Sequence, residues 1–124
     1  MSVVNAGWAA RWVDAWNTHD VEAVLDHYVD DCEFVSPKAA AIAGTATILG
    51  KDALRAYWSA ALRKYPALRF TLRHAVFDPT ARSIAIIYEA ALDPSAATVL
   101  ACEVLTFGPG DRARRGEAFY GATL

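Results

Sequence analysis

The stretch Trp8–Tyr28, WAARWVDAWNTHDVEAVLDHY, constrains this chain more than any other. Val4, Trp8, Trp12 and Trp16 recur every four residues, with Ala9 and Val13 beside them. That spacing predicts a helix from about Val3 to Trp16 with one aromatic stripe. Asp14 falls on the opposite face and should meet water. Asn17 and Thr18 end the helix, and Asp20 is placed to cap a second one, whose stripe is Val21, Val24, Leu25 and Tyr28, with His27 at its edge. A helical pair this rich in aromatics has to be covered, so the rest of the chain must supply the covering layer.

With 124 residues the chain fits one domain, residues 1–124, and at 55% hydrophobic it can bury a substantial core. A net charge of −2 argues against nucleic acid as a partner, since phosphate binding needs clustered positive charge. The start, MSVVNAGW, has no basic run leading into an apolar core. No stretch approaches the roughly 18 apolar residues of a membrane span. A cytoplasmic location without membrane contact is expected. Cys32 and Cys102 stand far apart, read as two reduced thiols. The three histidines form neither HxH nor HExxH, so neither a metal nor another cofactor is expected.

Beyond the helical pair, Asp30–Asp31 reads as a polar turn and Cys32–Ser36 as a short strand stopped by Pro37. Lys38–Leu49 is poorly patterned and is expected to be a loop with a short strand near Thr45–Leu49, either a functional lid or a passive connection. Gly50 opens a third helix with Leu54, Tyr57, Trp58, Ala61 and Leu62 on its apolar face. From Ala67 the period becomes two: Leu68, Phe70, Leu72, His74 and Val76 alternate with polar residues. Strands are predicted over Ser83–Leu92, Ala97–Phe107 and Arg112–Tyr120, with turns at Asp78–Pro79, Asp93–Ser95 and Gly108–Asp111. The result is an antiparallel meander. Arg69, Arg73, Arg112 and Arg114 fall on its outward parity, where Glu89 and Glu117 can neutralise them.

Three N-terminal helices followed by an antiparallel β-sheet give a two-layer α+β domain. This order, with RWVDAWNTHDVEAVLDHYVDDCEFVSP, the helix start GKDALRAYW and the terminal AFYG, resembles the nuclear transport factor 2-like superfamily, in particular its SnoaL-like and ketosteroid isomerase-like members. The resemblance implies a cystatin-like α+β cone, a curved sheet around the first helix with a deep apolar pocket, and a homodimer through the outer sheet face. The residues agree with a pocket: large helix aromatics face small sheet residues, Ala90, Ala101, Gly116 and Ala118.

Ketosteroid isomerases use an aspartate base and an oxyanion hole made of a tyrosine and a protonated aspartate. At the position of the base this chain has Ser36, and at that of the tyrosine it has Trp12. At that of the neutral acid it has Glu103, four residues before Phe107. One of three elements survives, so that isomerisation is not expected. Nor do the residues assemble the Asp–Arg–Asp arrangement of an epoxide hydrolase of this fold. Only His74 would serve as one of the two pocket histidines of a scytalone dehydratase-like site.

Glu103 shares strand parity with Val99, Ala101, Leu105 and Phe107, which places its carboxyl in the pocket or, in the opposite register, in a dimer interface or water. His74 shares a face with Leu68, Phe70, Leu72 and Val76, as a hydrogen-bonded core residue or as an acid–base partner of Glu103. Tyr88 and Tyr120 are donors to a ligand or ordinary packing. Trp12, Trp16, Tyr57 and Trp58 are the pocket walls. Two functions stay open: an isomerase, cyclase or dehydratase acting on a small, largely apolar molecule through Glu103 with His74, or a non-catalytic dimeric module that binds a small molecule or peptide. A dimer domain with a collapsed core is a third.

Overall fold

In the computed structural model, which describes residues 6–124, the first helix α1 covers Ala6–Asn17. Its expected start at Val3, and Val4 of the stripe, lie outside those residues. Trp8, Ala9, Trp12, Val13 and Trp16 are buried and Asp14 is exposed, as the period requires. Asp20 caps α2 (Val21–Leu25) by accepting the Glu22 N–H at 3.0 Å. This helix is shorter than expected, for Tyr28 opens strand β1 (Tyr28–Val35) instead of closing the helix. Asp30 and Asp31, expected in a turn, lie within β1, where its register against the last strand shifts.

The stretch expected as a loop contains a helix, α3 (Pro37–Ala43), before strand β2 (Thr47–Leu49). Its signals are local. Ser36 accepts the Lys38 N–H at 3.2 Å, Pro37 occupies the first turn, and Gly44 ends the helix at φ 83°. Helix α4 (Lys51–Lys64) buries Leu54, Tyr57, Trp58 and Ala61. Arg55 donates to Glu22 and Asp52, joining α4 to α2.

Strands β3 (Arg69–Asp78), β4 (Ser83–Ala91), β5 (Val99–Phe107) and β6 (Ala113–Thr123) form the meander. The open six-stranded sheet has the order β2-β1-β6-β5-β4-β3. The α+β class is as expected, with two corrections. A fourth helix, α3, is present, and β1 pairs with β6 in parallel, so the sheet is mixed. On the outer face Arg73 pairs with Glu89 at 3.1 Å, while Glu117 is taken by Arg115, which also binds Glu33. Among the described residues no helix is long and apolar enough to cross a membrane.

Helix α1 lies over β3. The Asn17 amide donates to the Phe70 carbonyl at 2.9 Å and accepts its N–H at 2.8 Å. Between Leu72 and His74 the β3–β4 register slips: Leu72 stands opposite Tyr88 and His74 opposite Ile87. This bulge reverses the inside–outside alternation for the rest of β3.

Candidate functional site

Glu103 sits in the middle of β5 between Ile86 of β4 and Ala118 of β6. It shares the inner face with Ala101, Leu105 and Phe107 and is only 4% exposed. Its neighbours are aromatic. Tyr28, the first residue of β1, donates its hydroxyl to Glu103 Oε2 at 3.4 Å and accepts the Trp12 indole N–H at 3.1 Å. The bond to Glu103 is long for O–H···O and therefore weak. Among the described residues it is the carboxyl's only hydrogen bond. Burial raises the Glu103 pKa to about 8, with the Tyr28 bond opposing in part. The carboxyl is thus mostly protonated at pH 7. Burial likewise pushes Tyr28, Tyr88 and Tyr120 upward, and the Glu103 charge adds to it, so all three hydroxyls stay neutral donors.

Beside Glu103 lies a cleft. Its wall includes Trp16, Tyr57, Trp58, Phe70, Tyr88 and Tyr120, and Lys38, Ile42 and Tyr65 stand among its lining residues. The aromatics interlock: Trp16 meets Trp58 edge-on at 5.0 Å between centroids, and Phe70 meets Tyr88 at 4.6 Å. The cavity is therefore tight, about 40 Å³ of space for water centres, on the order of three waters. Counted out through its open side it reaches about 450 Å³. Among the described residues Glu103 is the single carboxyl on this wall.

The expected site residues divide into three groups. Glu103, Trp16, Tyr57, Trp58, Tyr88 and Tyr120 come together around the cleft. Trp12 and Ser36 stand behind it. Trp12 packs against Phe70 and Tyr88 and reaches Glu103 through Tyr28. The buried Ser36 hydroxyl is committed to capping α3, where it accepts the Lys38 N–H. His74 is the correction: it is exposed on the opposite face of the sheet. Strict alternation carries it inward with Leu72, and the bulge between the two turns it out, so it cannot partner Glu103.

Two contributors escape sequence reasoning. Tyr28 fits the helical stripe by spacing, and its strand role shows only in the alternation of Cys32 and Phe34 after it. Lys38 follows the Ser36–Pro37 helix start, a local signal inside a stretch whose apolar pattern suggests a loop. Among the described residues no three His, Cys, Asp or Glu side chains gather as a metal site would need.

Residues 9–115 match the family model of the SnoaL-like domain. A SnoaL-like protein of unknown function from Burkholderia thailandensis E264 is 37% identical, with 94% of this chain and 92% of that one covered and a TM-score of 0.83. TerC, crystallised with polyporic acid, is 15% identical over 93% and 89% of the two chains, with a TM-score of 0.78. SalBIII, an epoxide hydrolase/cyclase-like enzyme in pyran ring formation in the polyether salinomycin, is 20% identical over 93% and 88%, with a TM-score of 0.71. The last two show a common fold. No curated protein sequence matches.

Proposed function

Because the chain belongs to the family of SnoaL-like domains, we propose that its cleft binds a small, largely apolar molecule and that Glu103 acts on it as a neutral acid. The observation that carries this reading is a carboxyl buried on the cleft wall with one weak protein hydrogen bond. Tyr28 donates to Oε2, so the carboxyl's own proton belongs on Oε1. From there it can bond a ligand carbonyl, epoxide or hydroxyl oxygen. In an isomerisation, cyclisation or dehydration that oxygen takes the proton as charge develops, and Tyr28 steadies the carboxylate left behind. The proton returns from the product or from water. SalBIII, by its description a cyclase-like enzyme, lends this class of reaction some support.

The carbonyl stretch of bound acetophenone tests the assignment. It is expected to fall in frequency on binding at pH 6, and the fall is expected to shrink in Glu103→Gln and in wild type above about pH 8. A stretch indifferent to both changes would mean that Glu103 does not face the ligand. A catalysed reaction would slow by about 10²–10⁴-fold in the same variant.

One observation favours the non-catalytic alternative. With His74 on the other face, among the described residues Glu103 has no histidine or second carboxyl beside it on the cleft wall. Under that reading the same carboxyl only orients a bound molecule.

The dimer belongs to the same reading. On the outer face Ile87, Cys102 and Phe119 stand in register across β4, β5 and β6, with Phe119 50% exposed and Val76 59% exposed nearby on β3. A second copy of the chain would cover this row. Light scattering is expected to give a dimer for wild type and a monomer for Phe119→Arg, whereas a monomeric wild type would refute the assembly. The reading keeps a cytoplasmic location, in which Cys32 and Cys102 stay free thiols.

A further inference from the structure

Two lysines stand where the cleft opens. Lys38 Nζ lies 4.7 Å from the centre of the Tyr120 ring and 5.9 Å from that of Tyr65. Lys64 Nζ lies 5.5 Å from Tyr65. Lys38 lines both the cleft and a shallow surface groove that continues it between α3 and the end of α4. The groove also carries Lys64, Ile42, Tyr65 and Tyr120, and among the described residues no carboxylate lines it. Neither lysine has an ion-pair partner among the described residues.

This concentration of positive charge is local, because the chain as a whole carries −2. Aromatic faces hold an ammonium in place but leave it a full unit of charge. Inside the cleft the one carboxyl is mostly protonated at pH 7, so it offers little negative charge to balance the entrance. A second observation points the same way. Trp16, on the cleft wall and buried, has an indole N–H that finds no acceptor among the described residues. An unpaired buried donor is costly, and an oxygen-bearing ligand would satisfy it. The small inner cavity takes one functional group, while the open groove has room for an apolar body.

We infer that the molecule bound here is an organic anion, an apolar body bearing a carboxylate, and that Lys38 is the residue that reads its charge. This rests on the cleft being the ligand site and adds the class of ligand. Low-dielectric aromatic walls on one side strengthen the attraction relative to open water. Lys64, exposed, adds to the field without touching the cleft.

Calorimetric titration of the whole protein with three probes of matched shape tests it: 2-naphthoate, its methyl ester and 2-naphthylmethylammonium. Naphthoate is expected to bind roughly tenfold tighter than the ester, a difference of about 1.4 kcal/mol, and the ammonium most weakly. Lys38→Met is expected to remove that preference while leaving the ester within about twofold, and Lys38→Arg to keep it. Raising salt from about 20 mM to about 500 mM should weaken naphthoate alone in wild type, which needs no variant to fold. An ester that binds wild type as tightly as naphthoate, or a preference that survives Lys38→Met, overturns the role of Lys38 and leaves the site standing. Ala61→Phe, which fills the cleft, separates the other failure. If every probe binds that variant as it binds wild type, the cleft is not the site. If no probe binds wild type at millimolar concentration, both readings fall.

Discussion

Replacing Glu103 with Gln is expected to make this protein more stable than wild type at pH 9 and indistinguishable from it at pH 4. The direction follows from where the proton sits. Burial lifts the Glu103 carboxyl from 4.5 in the unfolded chain to about 8 in the folded one. Between those values the folded state holds a proton that the unfolded state has lost, so wild-type stability declines as pH rises through that window. Below it both states are protonated and nothing is lost. Above it the folded protein carries the full cost of a buried carboxylate. At 1.36 kcal/mol per unit the loss is on the order of 5 kcal/mol, a large share of a typical domain's stability. Gln has the same shape and still accepts from Tyr28, so it removes the titration with little else. Urea unfolding of both proteins at pH 4, 7 and 9 measures this. Curves that stay parallel across the range would show that Glu103 is not held as a neutral acid.

Trp12→Ala should cost more than any other single truncation, about 3–5 kcal/mol. Trp12 is fully buried, stacks on Phe70 at 5.9 Å, meets Tyr88 at 5.4 Å and Trp16 at 6.4 Å, and donates to Tyr28. Its loss leaves a cavity where helix, sheet and acid meet, and frees Tyr28 to turn away from Glu103. Trp12→Phe keeps most of the volume and deletes the N–H, so it should cost roughly 1 kcal/mol from that bond. A thermal midpoint for Trp12→Ala within a few degrees of wild type would mean the surrounding rings close over the gap.

The periodic parts of the fold are legible in the sequence because burial acts on them evenly. The stripe from Trp8 to Trp16 and the alternation Ile84, Ile86, Tyr88, Ala90 each have one wet and one dry side, and each is buried as spaced. Glu103 is legible for the same reason, since parity with Ala101 and Leu105 carries it inward. His74 is misread because a bulge is a single-residue event that period-two counting cannot register. Helix α3 escapes for a different cause: four alanines in PKAAAIA give it almost no apolar contrast, leaving only Ser36, Pro37 and Gly44 to mark it. Tyr28 satisfies helix and strand spacing alike, and long-range pairing of β1 with β6 decides between them.

The hydrogen bond between Tyr28 and Glu103 joins residues 75 apart, and the one from the Trp8 indole to the Asp111 carbonyl spans 103. Contacts of that reach close after local ones, because the loop entropy must be met before they form. A chain that has made its helices but not docked its last strands therefore carries an ordinary surface carboxylate at position 103. A protonated carboxyl at neutral pH is therefore a property of the docked fold and not of any one of its elements.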